Sequence, residues 1–210
     1  VGRPPIISRD KVTAVALAVL DEEGLAALSL DRIAQEMGVR APSLYYHFND
    51  KDDILAEVAR LVVGDLAIDH DTLDWQQWLI DNCVLFYRRV MEHPNAAAII
   101  LEYLPASASI PGFGRAARVL TAAGVDPTLQ VLVMEGAQQL AWGWTLYSAS
   151  VSARAEKALT PARLARRWPE LAAARRANPF TEEAMLEAAL RAFFAGVFAV
   201  APAASPVSPG

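Results

Sequence analysis

Apolar residues recur at helical spacing along most of this chain. Between Arg9 and Glu23, Val12, Val15, Ala16, Val19 and Leu20 share one face, and Gly24 closes the run. Leu30, Ile33, Ala34 and Met37 make a second, shorter face that ends at Gly38. Pro42 opens a third short helix in which Leu44 and Phe48 point the same way. From Lys51 to Leu66 the apolar set is Ile54, Leu55, Val58, Leu61 and Val62. Asp69 to Asp74 is a polar break. A long helix is predicted from Trp75 to Glu92, halted by Pro94, and a shorter one from Ala96 to Tyr103. The proline- and glycine-rich stretch LPASASIPGFG reads as a loop, and Arg115 to Ala123 as a helix closed by Gly124. Asp126 and Pro127 open the longest helix, to about Arg154; it is apolar nearly all round and is expected to be buried on several sides. Thr160 to Ala177 is basic and alanine-rich, Thr181 caps a last helix, and APAASPVSPG has a disordered composition. No strand pattern competes, so the expected class is all-α. The expected domains are residues 1–50, a larger helical domain over 51–200 and a tail over 201–210.

The segment Leu28–Lys51, LSLDRIAQEMGVRAPSLYYHFNDK, carries the most chemistry. Ser29 is placed to cap the first short helix, and Asp31 sits in the turn where the helix dipole favours an acid. Gly38 supplies the positive φ that ends it. In the next helix Leu44 and Phe48 face inward, which leaves Ser43, Tyr45, Tyr46 and His47 for the other surfaces. Two short helices joined by a tight turn, the second loaded with aromatic and polar side chains, match the unit that places a helix in the DNA major groove.

GVRAPSLYYHFNDKDDIL, preceded by LSLDRIAQEM, resembles the DNA-binding domain of the tetracycline-repressor (TetR) family of bacterial transcription regulators. The resemblance covers roughly residues 8 to 65; beyond that only length and helical character match. It implies that Pro42, Ser43, Tyr45, Tyr46, His47 and Lys51 face DNA, with Lys51 on a phosphate, and that the helix beginning at Lys51 links the two domains. Arg40 flanks the same segment and is a further candidate for a phosphate. Asp31 and Ala41 stand where the family's founding repressor has an arginine and a glutamine, so the base sequence read must differ. The resemblance also implies a homodimer on a palindromic operator, released by a small-molecule effector.

The net charge of -5 runs against this reading, since a nucleic-acid binder usually carries a basic footprint. The N-terminal acids Asp21, Glu22 and Glu23 fall at the end of the first helix, however, and are expected to lie away from DNA. Arg3, in the segment GRPP, is either a minor-groove arm or disordered. The single cysteine, Cys83, excludes an internal disulfide framework and fits a reducing cytoplasm. No apolar run approaches the roughly 18 residues of a membrane helix, and no signal-peptide pattern opens the sequence.

The 54% hydrophobic content suggests a large interface as well as a core. In the last helix, Met185/Leu186, Ala189/Leu190, Phe193/Phe194 and Val197/Phe198 recur every four residues and make a wide apolar face. That face is expected to form a dimer with the helix opened by Asp126. For the effector, Phe86, Tyr87, Tyr103, Met134, Gln138, Gln139, Trp142 and Tyr147 offer aromatic walls and a few polar groups, which suits a small, largely apolar ligand. His70, His93, Glu102 and Glu135 lack ligand spacing, so neither a metal nor a cofactor is expected. There is no phosphate loop, nucleophile elbow or H-E-x-x-H, and Cys83 lies mid-helix among apolar neighbours, which argues against an enzyme. The alternative to a regulator is a helical adaptor of the same fold that has lost sequence-specific DNA binding.

Overall fold

The computed structural model describes residues 7–64, 74–104, 110–153 and 160–200. Arg3, His70, Arg154 and the tail over 201–210 lie outside the described residues. Among those described, the regular elements are all helical: α1 (Arg9–Glu23), α2 (Leu30–Met37), a 3-10 segment (Ala41–Tyr46), α3 (Lys51–Val63), α4 (Trp75–Glu92), α5 (Ala97–Tyr103), α6 (Ile110–Ala122), α7 (Pro127–Ser152), α8 (Pro161–Arg167), α9 (Pro169–Ala177) and α10 (Glu182–Val197).

The chain divides into two compact units. One comprises 1–66, 88–109 and 145–158; the other comprises 67–87, 110–144 and 159–210. The sequence placed a boundary at residue 50, but α3 groups with α1 rather than with the larger helical region. The reason is packing: Ile54, Leu55, Val58, Ala59 and Val62 are buried, and α3 lies against both α1 and α5.

In the first unit α1 buries Val12, Thr13, Ala16, Leu17, Val19 and Leu20. Ser8 caps its start, its Oγ accepting from the Lys11 N–H at 3.3 Å. The end of α1 is held by residues far along the chain. Asn95 Nδ2 donates to the carbonyls of Leu20 and Asp21, both at 3.0 Å, and His93 Nδ1 lies 2.7 Å from Asp21 Oδ2. α1 has no basic residue in its last turn but carries Asp21, Glu22 and Glu23 there. Side chains from elsewhere supply the donors that such a helix end needs.

In the second unit α10 buries Leu186, Leu190, Phe194 and Val197, one side of the wide apolar face. Trp75 meets Phe194 edge-on at 5.2 Å and Phe198 at 6.1 Å. Gly136 of α7 is a point of close approach: a β-carbon there would lie 2.3 Å from Phe193 Cζ. Thr181 caps α10 as expected, accepting from the Ala184 N–H at 3.1 Å.

Two expectations need correction. Ile110 to Gly114, read as part of a loop, form the start of α6. Pro111 is the second residue of that helix, where a missing N–H costs no backbone bond, so the proline that suggested a loop is compatible with a helix start. The second correction concerns Ala41–Tyr46, which is a six-residue 3-10 segment and not an α-helix. Its N–H groups reach back three residues, Ser43 to the Arg40 carbonyl and His47 to the Leu44 carbonyl, each at 2.9 Å. No side chain caps its start, and it is too short to propagate an α-helix on tyrosine-rich sequence. The basic stretch over 160–177 resolves into α8 and α9, each opened by a proline.

Candidate nucleic-acid interface

Local chemistry builds the candidate surface in sequence order. Ser29 Oγ accepts the Arg32 N–H at 3.1 Å and starts α2. Gly38, at φ 66°, ends it in the left-handed region, and its N–H bonds to the carbonyls of Ala34 and Gln35. The chain then enters the Ala41–Tyr46 segment with Pro42 in its first turn. Leu44 and Phe48 are fully buried, which fixes one side of the segment. Tyr46 is 90% exposed and Tyr45 57% exposed, so both rings project from the opposite side. A tyrosine ring left in water on a well-anchored segment is unusual for packing and suits a partner surface. Arg40 and Pro42 are exposed, while Ser43, His47 and Lys51 are half-buried. All seven residues assigned to DNA lie within this one short stretch, residues 40–51.

The cations of this unit are unequally committed. Arg32 pairs with Glu23 at 2.6 Å and with Glu36 at 2.8 Å. Arg9 pairs with Asp53 at 2.8 Å and Glu57 at 3.0 Å. Among the described residues, neither Arg40 nor Lys51 is in an ion pair. The acids that make the chain negative are thus partly neutralised in place, while the two cations flanking the tyrosines stay available. Asp50 caps α3, its Oδ1 accepting the Asp53 N–H at 2.8 Å, and so sets Lys51 at the first position of that helix. Asp53 accepts in turn from the Asn49 N–H at 3.2 Å. The bond from Arg9, with help from that N–H, holds the Asp53 carboxyl below its ordinary range against the opposing effect of burial.

The residues assigned to an effector separate. Phe86, Tyr87, Met134, Gln138, Gln139 and Trp142 belong to the second unit, whereas Tyr103 and Tyr147 belong to the first. Phe86 is buried and stacks on Trp142, rings 5.2 Å apart and inclined by 12°. Tyr87 is buried, and loss of water, with Glu182 and Glu183 nearby, pushes its phenol up. Gln138 is half-buried and Gln139 exposed. Tyr147 is 72% exposed. Tyr103 lies beside Asp52 and Glu102, and partial desolvation with those two carboxylates raises its phenol.

Two further polar atoms of α7 stand out in the structure. The Trp144 indole nitrogen and the Thr145 hydroxyl are buried without a hydrogen-bond partner. Such groups ordinarily find one, and only placement in the fold distinguishes them from the other polar atoms of α7. Burial also governs Cys83: although the residue keeps some surface, its thiol is enclosed and pushed up to about 12. Its Sγ lies 3.9 Å from the Ala137 carbonyl. Among the described residues no cluster of histidine, cysteine or acid has the arrangement of a metal site. No helix among them is long and apolar enough to cross a membrane.

The unit is a helix-turn-helix arrangement that holds Tyr45 and Tyr46 outward between Arg40 and Lys51. Residues 12–58 match the family model described as bacterial regulatory proteins, tetR family. In this N-terminal segment the chain is similar to that family. It is 28% identical over 136 residues to an HTH-type transcriptional regulator of Saccharopolyspora erythraea, covering 58% of each chain. It is 30% identical over 121 residues to the class C tetracycline repressor protein of Escherichia coli, covering 56% of this chain and 55% of that one. The matched region therefore spans little more than half the length of these relatives. The fold extends further: the Streptomyces coelicolor TetR family protein ActR, solved in complex with actinorhodin, superposes with a TM-score of 0.73 at 24% identity. That match covers 97% of this chain and 100% of that one.

Proposed function

We propose that this chain is a ligand-responsive transcriptional regulator that binds a palindromic operator as a homodimer. The observation that carries the reading is the division of residues 40–51 into a buried anchor and an exposed polar-aromatic face. Leu44 and Phe48 hold the segment from inside, and Tyr45 and Tyr46 stand in water between Arg40 and Lys51. Tyrosine rings and hydroxyls suit thymine methyls, base edges and phosphates, and Ser43 and His47 add short polar groups. Arg40 and Lys51 contribute phosphate contacts, so binding falls as salt rises.

A six-residue segment covers only part of one groove. Two copies about 34 Å apart give the affinity and the palindrome. Exposed Val131 and Leu132 on α7 and exposed Phe198 after α10 support a dimer through those helices. Repression is the simplest mode, since operator occupancy alone achieves it. The effector is a small, largely apolar molecule bound among Phe86, Tyr87, Met134, Gln138, Gln139 and Trp142 of the second unit. Its binding lowers operator affinity, and linkage requires operator DNA to lower effector affinity by the same factor. The protein acts in the cytoplasm, where the DNA is, and carries no catalytic activity.

The test is a fluorescence-anisotropy titration of duplexes from the chain's own upstream region, with Tyr45→Ala as control. Sequence-selective binding that drops by about 1–3 kcal/mol in the control supports the reading. Weak, sequence-blind binding that the substitution leaves unchanged points instead to an adaptor that has kept the fold and lost DNA reading.

A further inference from the structure

Arg9 is not among the residues assigned to DNA, yet its side chain joins every part that positions them. It is the first residue of α1, where a cation opposes the helix dipole. Helix stability alone therefore gives no reason for an arginine there. Its guanidinium instead reaches across to three separate features. One nitrogen, Nη1, donates to the carbonyl of His47, the residue that closes the Ala41–Tyr46 segment. The other, Nη2, donates to Asp53 Oδ1 at 2.8 Å and Glu57 Oε1 at 3.0 Å on α3. Its carbon centre sits 4.3 Å from the middle of the Phe48 ring.

The His47 carbonyl lies at the end of a helical segment, where acceptors have no partner within the helix. Holding it fixes the backbone at the point from which Tyr46 and His47 project. Asp53 is itself tied to the Asn49 N–H, so the contact continues through the turn to Lys51. A planar fork with five donors can serve acceptors in several directions and lie on a ring at once; an ammonium cannot.

We propose that Arg9 is a positioning residue for DNA reading, clamping the end of the tyrosine-bearing segment to α1 and α3 so that its side chains meet the bases in one geometry. This rests on the DNA-reading function proposed above. A direct phosphate contact is the competing role, since the side chain is 43% exposed. Both of its terminal nitrogens are already engaged, however, and the two carboxylates it meets, with Arg60 also paired to Glu57 at 2.8 Å, leave no excess positive charge in the cluster. A phosphate would find no uncompensated cation there.

The experiment compares wild type, Arg9→Lys, Asp53→Asn and Tyr45→Ala by anisotropy. The probes are the duplex that wild type enriches from sheared genomic DNA and a shuffled duplex of equal length, each over a range of salt. Thermal midpoints are recorded alongside. Arg9→Lys keeps the charge and loses the fork. The expected result is a loss of selective affinity on the order of tenfold, with affinity for the shuffled duplex and the salt slope both unchanged. Asp53→Asn should lose selective affinity in the same direction, and the double variant should lose less than the sum of the two.

A salt slope lower by about 0.9 would mean that Arg9 holds a phosphate itself, and would overturn the proposal. So would selective and shuffled binding falling together with the midpoint, which would mark a merely structural residue. Wild-type affinity in Arg9→Lys, with Tyr45→Ala impaired, would refute the clamp and leave DNA reading standing. A wild type that enriches no sequence refutes both.

Discussion

Leu44 and Tyr46 are two positions apart and should fail in opposite ways when cut to alanine. Leu44 is 0% exposed and anchors the DNA-facing segment from inside. Removing its branched end from a closed core costs about 2–5 kcal/mol, transfer and cavity together. The segment is short and held at its far end by Phe48, so partial collapse into the hole puts the cost near 2–3 kcal/mol. For a chain of this size that lowers the thermal midpoint by about 4–12 °C. Tyr46 stands almost wholly in water, and its removal should change stability by no more than about 0.5 kcal/mol. Its expected cost lies in binding, at about 1–3 kcal/mol, or roughly 5- to 150-fold in affinity. Circular dichroism melts and operator anisotropy on the two purified variants read the two effects separately. Equal midpoint losses in both variants would refute the inward–outward division of the segment. So would a Leu44→Ala protein that melts like wild type.

Other positions give independent checks. Gly136→Ala drives a β-carbon against the Phe193 ring and should cost about 1–3 kcal/mol by overpacking, measured by urea unfolding, whereas Gly143→Ala on the same helix meets open space and should not destabilise. Cys83, with its thiol pushed up to about 12 by burial, should react with a maleimide far more slowly in the native protein than after unfolding; fast native labelling would contradict its enclosure. Asp53 titrates below its ordinary range in the folded state, so its contribution is present above the unfolded value of about 3.9 and is lost as pH falls through the folded one. The stability gap between wild type and Asp53→Asn should therefore be widest near neutrality and narrow below about pH 4. A gap independent of pH would show that the Arg9–Asp53 pair does not operate in solution.

The parts of the fold legible in the sequence were those fixed by local chemistry. Ser29 and Thr181 cap the helices they were expected to cap, and Gly38 takes the positive φ that its place after Met37 required. Leu44 and Phe48 turn inward and the tyrosines outward, as expected, although the segment is 3-10 and not the α-helix the spacing suggests. What escaped was set by contacts between distant residues. Nothing in the sequence near Asp21 announces Asn95 and His93, more than 70 positions away, as the groups that close α1. Nothing near His47 announces Arg9. The loop expected at Ile110–Gly114 failed for a different reason: proline and glycine were weighed by composition, while their position at a helix start decides their effect. The effector residues offer aromatic walls and a few polar groups along the sequence, but the fold assigns Tyr103 and Tyr147 to one unit and the other six to the other.

The most direct test of the central claim is selection of sheared genomic DNA by the immobilised full chain, followed by sequencing, with Tyr45→Ala and Tyr46→Ala proteins in parallel. The expected result is a small set of enriched fragments sharing one inverted repeat, its half-sites about one helical turn apart, and loss of that enrichment in both variants. Enrichment of no shared sequence, or the same enrichment in wild type and variants, would contradict the assignment of residues 40–51 to DNA reading.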